Sequence, residues 1–263
     1  GRTMGTISAA GSKKLLEGFG PKLPGFDIVK KLSLDSVEKK ISKRTSAILV
    51  EPILGEGGII TLSCSFLKGL KELCKKYNLL LIFDEVQSGI GRTGDFLSYE
   101  LCKVTPDIVA LAKGLGNGFP IGACLATEEV ANSMVPGTHG STYGGNPLGC
   151  AVALETIKHI LKPEFLSTIR RKGDFFKERL HGLLEMFPEQ ILDVRGRGLM
   201  LGLKCVGKNA HFIDMCRKEK LLLVPGASNT VRILPPLTIT YKEIKEAIIR
   251  LERALLRMRK FNE

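Results

Sequence analysis

The sequence contains no tryptophan and only four tyrosines, and its apolar residues never form a long uninterrupted run. A helix that crosses a bilayer needs about 20 consecutive, mostly apolar residues, so a membrane-spanning protein is excluded. The apolar runs that are present, such as Leu79–Phe83 and Ile108–Ala112, have the length of buried strands. Because 44% of the 263 residues are apolar, the chain can bury a core, and intrinsic disorder is excluded as well.

The chain also lacks a concentrated basic patch, although its 39 Lys and Arg residues outnumber its 27 Asp and Glu residues. The densest basic stretch, residues 250–260, ends a helical pattern, where cations interact favourably with the helix dipole. No aromatic residues are interleaved with a basic stripe, as they are in many nucleic-acid-binding surfaces. We therefore expect no nucleic-acid partner.

The cysteines are odd in number, and no two of them have the C-x-x-C spacing of a zinc or redox site. They are Cys64, Cys74, Cys102, Cys124, Cys150, Cys205 and Cys216. Several lie in apolar contexts, which is typical of buried free thiols. The first eleven residues also lack the charged-then-apolar layout of a secretory signal. These features predict free thiols, no metal site and a reducing, cytoplasmic location.

Short apolar runs alternate with helical patterns over the first 150 residues. Strands are predicted at Ala47–Val50, Leu79–Phe83, Ile108–Ala112 and Ile121–Ala126, with a helix over Phe66–Tyr77. Continuous apolar strands separated by helices indicate a parallel sheet covered on both faces. The pattern therefore predicts a large α/β domain over residues 1–155.

Longer helical patterns follow Asn146, one from Phe165 to Leu184 and another from Ile244 to Met258. Between them lie the strand candidates Leu199–Cys205, Leu221–Val224 and Val231–Leu234. We expect a smaller α+β domain over residues 156–263, joined to the first domain inside a helix.

Two polar residues directly follow predicted strands. Asp84 follows Leu79–Phe83, and Lys113 follows Ile108–Ala112 and precedes a glycine-rich turn. In open parallel sheets, ligands bind beyond the carboxyl ends of the strands. Taken singly, such an aspartate is explained as a helix cap and such a lysine as a surface amine. Together, a desolvated lysine and a neighbouring carboxylate are what pyridoxal phosphate needs, for covalent attachment and for its ring nitrogen.

Blocks from one end of the chain to the other resemble the class III (fold type I) pyridoxal-phosphate aminotransferases, in particular their ornithine/acetylornithine group. The blocks are GRTMG (1–5), VEPILGEGG (50–58), LIFDEVQSGIGRTG (81–94), AKGLGNGFPIG (112–122), GTHGSTYGGNP (137–147), VRGRGLM (194–200) and VRILPPL (231–237). The resemblance implies an α/β fold: a fold type I large domain with a mostly parallel sheet between helices, and a smaller C-terminal α+β domain.

The resemblance also implies a set of cofactor-binding residues. Lys113 would carry pyridoxal phosphate covalently and move the substrate proton, and Asp84 would pair with the ring nitrogen. Val86 would pack on the ring and Gln87 would bind the phenolic oxygen, and Glu85, between Asp84 and Val86, belongs to the same cofactor-binding motif. Thr142 of one subunit would reach the cofactor phosphate of its neighbour, which implies a homodimer.

The substrate-binding residues follow from the same resemblance. Arg2 matches a carboxylate-binding arginine, and Ser141 would face the substrate. Arg232 would bind the carboxylate of 2-oxoglutarate, and Glu56 would cover that arginine while the amino donor is bound. An ordinary surface ion pair between Glu56 and Arg232 is the alternative. The implied reaction is transamination of N2-acetyl-L-ornithine with 2-oxoglutarate, with ornithine δ-aminotransferase activity as the second candidate.

Two features depart from the family pattern. Asn117 replaces a glycine in the turn after Lys113, where a left-handed backbone would accommodate it. The sequence also begins inside a family motif, which implies that an aromatic residue and a phosphate-binding loop of the family are missing. A non-catalytic, truncated subunit is therefore an alternative, and we expect the chain to be inactive alone.

A nicotinamide-dependent dehydrogenase is the other alternative. Gly89–Gly94 matches G-x-G-x-x-G, but five residues separate these glycines from the preceding strand, and no clear helix follows the third glycine.

Overall fold

The computed structural model of this chain describes residues 2–260. Gly1, which begins the first family-like block, and residues 261–263, which end the predicted second domain, lie outside the described residues. The helices of the described part are α1 (Met4–Ala9), α2 (Lys13–Leu16), α3 (Leu34–Glu38), α4 (Cys64–Tyr77), α5 (Glu128–Ala131), α6 (Pro147–Ile160), α7 (Pro163–Met186), α8 (Asn209–Lys218) and α9 (Tyr241–Lys260). Among these helices, none is both long enough and apolar enough to cross a membrane.

The strands of the described part are β1 (Ala47–Val50), β2 (Ile53–Leu54), β3 (Ile60–Thr61), β4 (Leu80–Asp84), β5 (Ile108–Leu111), β6 (Ala123–Ala126), β7 (Ile191–Arg197), β8 (Met200–Cys205), β9 (Val224–Gly226) and β10 (Thr230–Ile233). Short 3-10 helices occupy Ser98–Cys102 and Lys113–Leu115.

The first sheet has the strand order β1-β4-β5-β6. Strands β1, β4 and β5 are parallel, and β6 pairs antiparallel with β5. Helix α4 packs Leu67 and Leu70 in one apolar cluster with Leu81 and Phe83 of β4. Helix α6 contributes to a second cluster, with Val109 and other residues of and after β5. The predicted mostly parallel sheet between helices is confirmed.

The second sheet has the order β7-β8-β10-β9, and all its pairings are antiparallel. Its side chains share one large apolar cluster with α7, α8 and α9, in which Phe176, Leu180 and Leu203 are almost fully buried. The expected α+β character of this part of the chain agrees with the arrangement. The division at residues 155 and 156, which falls inside α6, stays a prediction.

Two features of the second sheet differ from the sequence prediction. Strand β7 was not predicted, because charged residues and a glycine interrupt its apolar positions; Arg195, for example, pairs with Asp193 at 2.7 Å. The strand predicted at Leu221–Val224 is wrong in position, since the observed strand begins at Val224. A leucine-rich run is typical of a buried strand, which is why a strand was predicted here. Leu222 is instead 83% exposed, so the run is not buried in the sheet.

The prediction that every cysteine is a free thiol is wrong for two of them. Cys64, at the start of α4, forms a disulfide with Cys102, at the end of a 3-10 helix, with 4.9 Å between the Cα atoms. The partners are 38 residues apart, so no local spacing indicates the pair. The other five are free. The cytoplasmic location therefore stays a prediction without support from the cysteines.

The loop after β4 connects the two sheets through directional contacts. Arg92 donates from Nη1 to the carbonyl oxygens of Leu199, at 3.1 Å, and Pro235, at 2.5 Å. Asp95, in the same loop, forms ion pairs with Arg170 of α7 and Arg197 of β7. Burial lowers the pKa of Arg92 to about 10, which still leaves it charged at neutral pH. The loop is thus fixed to the second sheet on one side.

Candidate active site

Three charged residues lie at the carboxyl ends of the three parallel strands. The register pairs Val50 with Phe83, so that Glu51 and Asp84, the residues that follow them, are neighbours at one edge of the sheet. Asp84 in turn pairs with Ala110 of β5, and Lys113 follows that strand. The topology alone therefore brings two carboxylates and one amine to the edge where open parallel sheets bind ligands.

Lys113 begins the turn after β5 in a left-handed backbone conformation, with φ of 46°. Lys113 is exposed as a whole residue, yet partial burial of its amine is the largest influence on the pKa of Lys113 and lowers it. The negative charges of Glu56, Asp84 and Glu51 raise the pKa of Lys113, and the positive charge of Arg232 lowers it. Lys113 thus lies within the electrostatic reach of all four charged groups.

The turn after Lys113 also has the predicted backbone. Asn117 adopts φ of 44°, the left-handed conformation expected where the family has glycine. Gly116 is required by close packing, because a Cβ atom there would lie 1.9 Å from the carbonyl oxygen of Phe119.

Arg232 reaches this group from β10 of the second sheet and is only 8% exposed. Its Nη1 donates to Oε1 of Gln87 at 3.2 Å, and its Nε donates to the carbonyl oxygen of Pro225 at 3.1 Å. Among the described residues, no ion pair joins Arg232 to Glu56, which was the alternative to the predicted covering role of Glu56. The guanidinium therefore keeps part of its hydrogen-bonding capacity for a ligand.

Glu56 lies in the turn between β2 and β3 and is exposed. Its carbonyl oxygen accepts a hydrogen bond from the amide of Ala227 at 2.7 Å, which holds the turn against the segment before β10. Gly58, two residues later, has no room for a side chain, since a Cβ atom would lie 2.7 Å from the carbonyl oxygen of Ala227. The turn places the Glu56 charge near both Lys113 and the strand that carries Arg232.

Glu85 lies apart from this group, and its predicted contact with the cofactor stays a prediction. It is 1% exposed, and its carboxylate accepts hydrogen bonds from the hydroxyls of Ser88 and Ser98 and from the amide of Tyr99. Burial raises the pKa of Glu85, which these hydrogen bonds oppose. Because neighbouring residues of an extended chain point to opposite sides, Glu85 stabilises the loop after β4 while Asp84 faces the site.

The remaining predicted residues are half-buried or exposed. Asp84 and Val86 are linked by a hydrogen bond of 2.9 Å from the Val86 amide to Oδ1 of Asp84. Arg2 and Thr142 are exposed. The Ser141 hydroxyl accepts a hydrogen bond from the Gly144 amide at 3.0 Å. Among the described residues, no hydrogen bond or ion pair joins Arg2, Ser141 or Thr142 to the Lys113 group, so their roles stay predictions.

Glu51 is the member of the group that the sequence analysis did not single out. It directly follows the strand Ala47–Val50, just as Asp84 follows its own strand. The rule that identified Asp84 and Lys113 would have identified Glu51 as well.

Residues 1–255 match the sequence profile of the family described as Aminotransferase class-III. The chain is 50% identical over 251 residues to an acetylornithine aminotransferase of Mesorhizobium japonicum, and the match covers 95% of this chain and 63% of that protein. It is 47% identical over 254 residues to the corresponding protein of Agrobacterium fabrum, covering 97% of this chain and 64% of that one. The chain therefore spans less than two thirds of the length of these curated relatives.

Solved structures give the same picture. The chain is similar to the ornithine aminotransferase of Toxoplasma gondii, with a TM-score of 0.93 and 34% identity over 99% of this chain and 63% of that one. It is also similar to an acetylornithine aminotransferase from Elizabethkingia anophelis, with a TM-score of 0.83 and 34% identity over 92% of this chain and 62% of that one. Another structure of the Toxoplasma protein has PLP at partial occupancy in its active site.

Proposed function

Because this chain belongs to the class-III aminotransferase family, we propose that it takes part in pyridoxal-phosphate-dependent transamination of N2-acetyl-L-ornithine with 2-oxoglutarate. The products would be N-acetyl-L-glutamate 5-semialdehyde and L-glutamate. The observation that carries the proposal is the convergence of Lys113, Asp84 and Arg232 at the carboxyl edge of the first sheet. The proposal concerns the complete protein, since the chain spans less than two thirds of its relatives.

The side chains at this edge fit pyridoxal phosphate in their chemistry. Lys113 supplies an amine whose pKa is lowered by burial, which suits covalent attachment to an aldehyde. Asp84 supplies a carboxylate for a protonated ring nitrogen, Gln87 an amide for a phenolic oxygen, and Val86 an apolar surface. When bound, the cofactor would supply an electron sink that acidifies the substrate carbon bearing the amino group.

The residues of the chain would then bind, orient and move protons. Lys113 would take the proton from the substrate carbon that bears the amino group and pass it to the cofactor, and would move a proton in the opposite direction when 2-oxoglutarate is converted to L-glutamate. Asp84 would keep its negative charge against the ring nitrogen throughout. Arg232, whose guanidinium is a planar fork of donors, would bind a carboxylate of 2-oxoglutarate through two parallel hydrogen bonds. Glu56 would neutralise Arg232 while the donor, which has a single carboxylate, is bound.

We further propose that a second copy of the protein completes the site. Thr142 and the neighbouring Tyr143 lie on an exposed stretch, and Tyr143 is 82% exposed. An exposed hydroxyl next to an exposed aromatic suits a contact between subunits, where Thr142 would reach the cofactor phosphate of the partner. Arg2 and Ser141 would contact the substrate. Mixed dimers of Thr142→Ala and Lys113→Asn subunits would test this, because one intact site per dimer should restore activity.

Ornithine δ-aminotransferase activity is the second candidate. The observation that favours it is the TM-score of 0.93 to the Toxoplasma ornithine aminotransferase. The identities near 50% to acetylornithine aminotransferases favour the first candidate. The dehydrogenase alternative has less support, because Gly89–Gly94 leads into a 3-10 helix at Ser98–Cys102 instead of an α-helix.

Covalent labelling tests the assignment of Lys113. Borohydride reduction in the presence of pyridoxal phosphate, followed by peptide mapping, should place the label on Lys113, and Lys113→Asn should abolish both label and activity. Lys103→Asn is a matched control, because Lys103 has nearly the same left-handed backbone, with φ of 53°. Asparagine tolerates that conformation, so both variants should fold. A label on another lysine would reject the assignment.

Kinetics with the two donors test the substrate. We expect kcat/KM to be higher for N2-acetyl-L-ornithine than for L-ornithine, with 2-oxoglutarate as acceptor in a ping-pong pattern. A higher kcat/KM for L-ornithine would favour the second candidate. An inactive complete protein with Lys113 intact would favour the non-catalytic subunit.

A further inference from the structure

Glu51 has a position that the proposed roles do not explain. It is half-buried at the end of β1, beside Asp84, in a region where charged groups surround an amine. Burial is the largest influence on its carboxyl group and raises the pKa of Glu51; the charges of Asp84 and Glu56 act in the same direction. The Gly55 amide and the charge of Lys113 lower the pKa of Glu51. A half-buried carboxylate beside two others is unfavourable unless something holds it there.

A hydrogen bond holds Glu51 in place and fixes the turn that follows. Its Oε2 atom accepts the backbone amide of Gly55 at 2.9 Å. Gly55 lies directly before Glu56, so this bond sets the start of the turn that carries the Glu56 charge. Without an acceptor at Glu51, the Gly55 amide would lose this half-buried partner.

The same turn packs closely against Gln87. A Cβ atom at Gly55 would lie 2.5 Å from Oε1 of Gln87, the oxygen that accepts the hydrogen bond from Arg232. A shift of Gly55 toward Gln87 would therefore displace the Gln87 amide, and with it the oxygen that orients the Arg232 guanidinium. The contacts form a continuous series from Glu51 through Gly55 and Gln87 to Arg232.

We propose that Glu51 is a positioning residue of the transamination site, which aligns the Gly55–Gln87–Arg232 series by its hydrogen bond and places a negative charge near the Lys113 amine. This proposal rests on the proposed function, because the alignment affects the reaction only if Arg232 binds the carboxylate of 2-oxoglutarate. The two effects are separable because glutamine at position 51 retains an acceptor oxygen for the Gly55 amide but carries no charge. Alanine removes both the acceptor and the charge.

The charge effect is tested without cofactor in the complete protein. The rate at which an amine-directed reagent modifies Lys113 is followed against pH by peptide mass spectrometry. Loss of the negative charge lowers the pKa of Lys113, so Glu51→Gln should increase its modification rate at neutral pH by about threefold or more. Glu72→Gln is the control, because Glu72 is exposed on α4 and pairs with Lys75. Equal rates in the two variants would overturn the charge effect.

The alignment effect is tested by steady-state kinetics. Glu51→Ala should raise the KM for 2-oxoglutarate by about tenfold or more, the effect of losing one hydrogen bond that a charged acceptor makes. Glu51→Gln should leave that KM close to the wild-type value. An unchanged KM in Glu51→Ala would overturn the alignment effect. Should Glu51→Ala fail to fold, Glu51→Asp, whose shorter side chain withdraws the acceptor, gives the same comparison.

The two proposals fail in distinguishable ways. If borohydride labelling of the wild-type protein misses Lys113, the proposed function fails, whereas the modification rates in the cofactor-free protein still measure the effect of the Glu51 charge. If Lys113 is labelled, but Glu51→Gln has the same modification rate as Glu72→Gln and Glu51→Ala keeps the wild-type KM for 2-oxoglutarate, only the role of Glu51 is rejected.

Discussion

The two four-stranded sheets bury their side chains to very different degrees. All four residues of β10 in the second sheet are buried, and the sheet shares a single apolar cluster with α7, α8 and α9. In the first sheet, all four residues of β6 are exposed, and Leu49 of β1 is 52% exposed. The second sheet is therefore covered by its own helices except at its outer strand β9, whereas the outer strand β6 of the first sheet is exposed along its whole length.

The sheets also differ in the charged groups that they carry. The first presents Glu51, Asp84 and Lys113 at its carboxyl edge, and the second contributes Arg232 from a strand that is otherwise uncharged. A ligand must enter from solvent, so the titratable groups lie on the more open sheet. The closed sheet provides a rigid support that holds one guanidinium in a fixed place. Chemistry and stability should therefore respond to different substitutions.

Asp84→Asn should have the largest effect, and only on chemistry. Transamination should fall by several orders of magnitude while the cofactor still binds, because an amide cannot hold the proton on the ring nitrogen. Stability should hardly change, since Oδ1 of asparagine can still accept the Val86 amide. Activity and urea unfolding are measured together, with Asp214→Asn on α8 as the control. A large loss of stability in Asp84→Asn would contradict the separation between the sheets.

Phe176→Ala should show the opposite behaviour. Phe176 is 1% exposed in the cluster behind the second sheet, and truncation of a buried phenylalanine costs about 3–5 kcal/mol. Leu125→Ala, on the exposed strand β6, should cost no more than about 0.5 kcal/mol. Urea unfolding of both variants measures the difference. Similar losses would mean that β6 is covered in the complete protein, which would weaken the comparison between the sheets.

The disulfide should stabilise the layer of α4 against the first sheet. Replacing Cys64 and Cys102 by serine should lower the free energy of unfolding by about 2–4 kcal/mol, the range for a cross-link that closes a loop of this size. Cys124→Ser and Cys150→Ser, at exposed free thiols, serve as controls. Thiol titration of the denatured protein should find two more thiols after reduction than before. Equal counts would show that the pair is not oxidised.

The smallest effect is expected for Glu85→Gln, and it should depend on pH. The folded state raises the pKa of Glu85 above its ordinary value of 4.5, so the folded protein binds this proton more tightly than the unfolded chain. The contribution of Glu85 to stability is therefore present below pH 4.5 and lost as the pH rises through the folded pKa. Relative to wild type, Glu85→Gln should become more stable as the pH rises from 4 to 7.

Unfolding at several pH values measures this change, with Glu72→Gln as an exposed control. A stability difference between Glu85→Gln and wild type that is constant across pH would show that Glu85 has the same affinity for its proton in both states.

The fold was predictable where a strand consists of apolar residues and belongs to the parallel sheet. The strands at Ala47–Val50 and Ile108–Ala112 were predicted to within one residue, because both are apolar and lie in a parallel sheet. Strand β7 was missed because charged residues and a glycine interrupt its apolar positions, and its Arg197 is paired with Asp95 from a distant part of the chain. The disulfide was missed because its two cysteines are 38 residues apart. Interactions over long sequence separations leave no local pattern.

The site was predictable from positions at strand ends and from motifs. Asp84 and Lys113 follow from the first rule, and Arg232 and Glu56 came only from resemblance. Glu85 was assigned with its neighbours in the motif, although the alternation of an extended chain puts its side chain opposite to that of Asp84. The role of Thr142 stays a prediction, because it concerns a contact between two subunits and the structure describes one chain.

The loop after β4 is joined to the second sheet by two kinds of contact that respond differently to ionic strength. Asp95 pairs with Arg170 and Arg197, and added salt weakens such attractions between charges near the surface. Arg92 donates instead to carbonyl oxygens, which carry no net charge and leave little for mobile ions to screen. Concentrated salt would therefore loosen one attachment of this loop while the other persists, so that the loop bearing Gln87 would remain joined to the second sheet through Arg92.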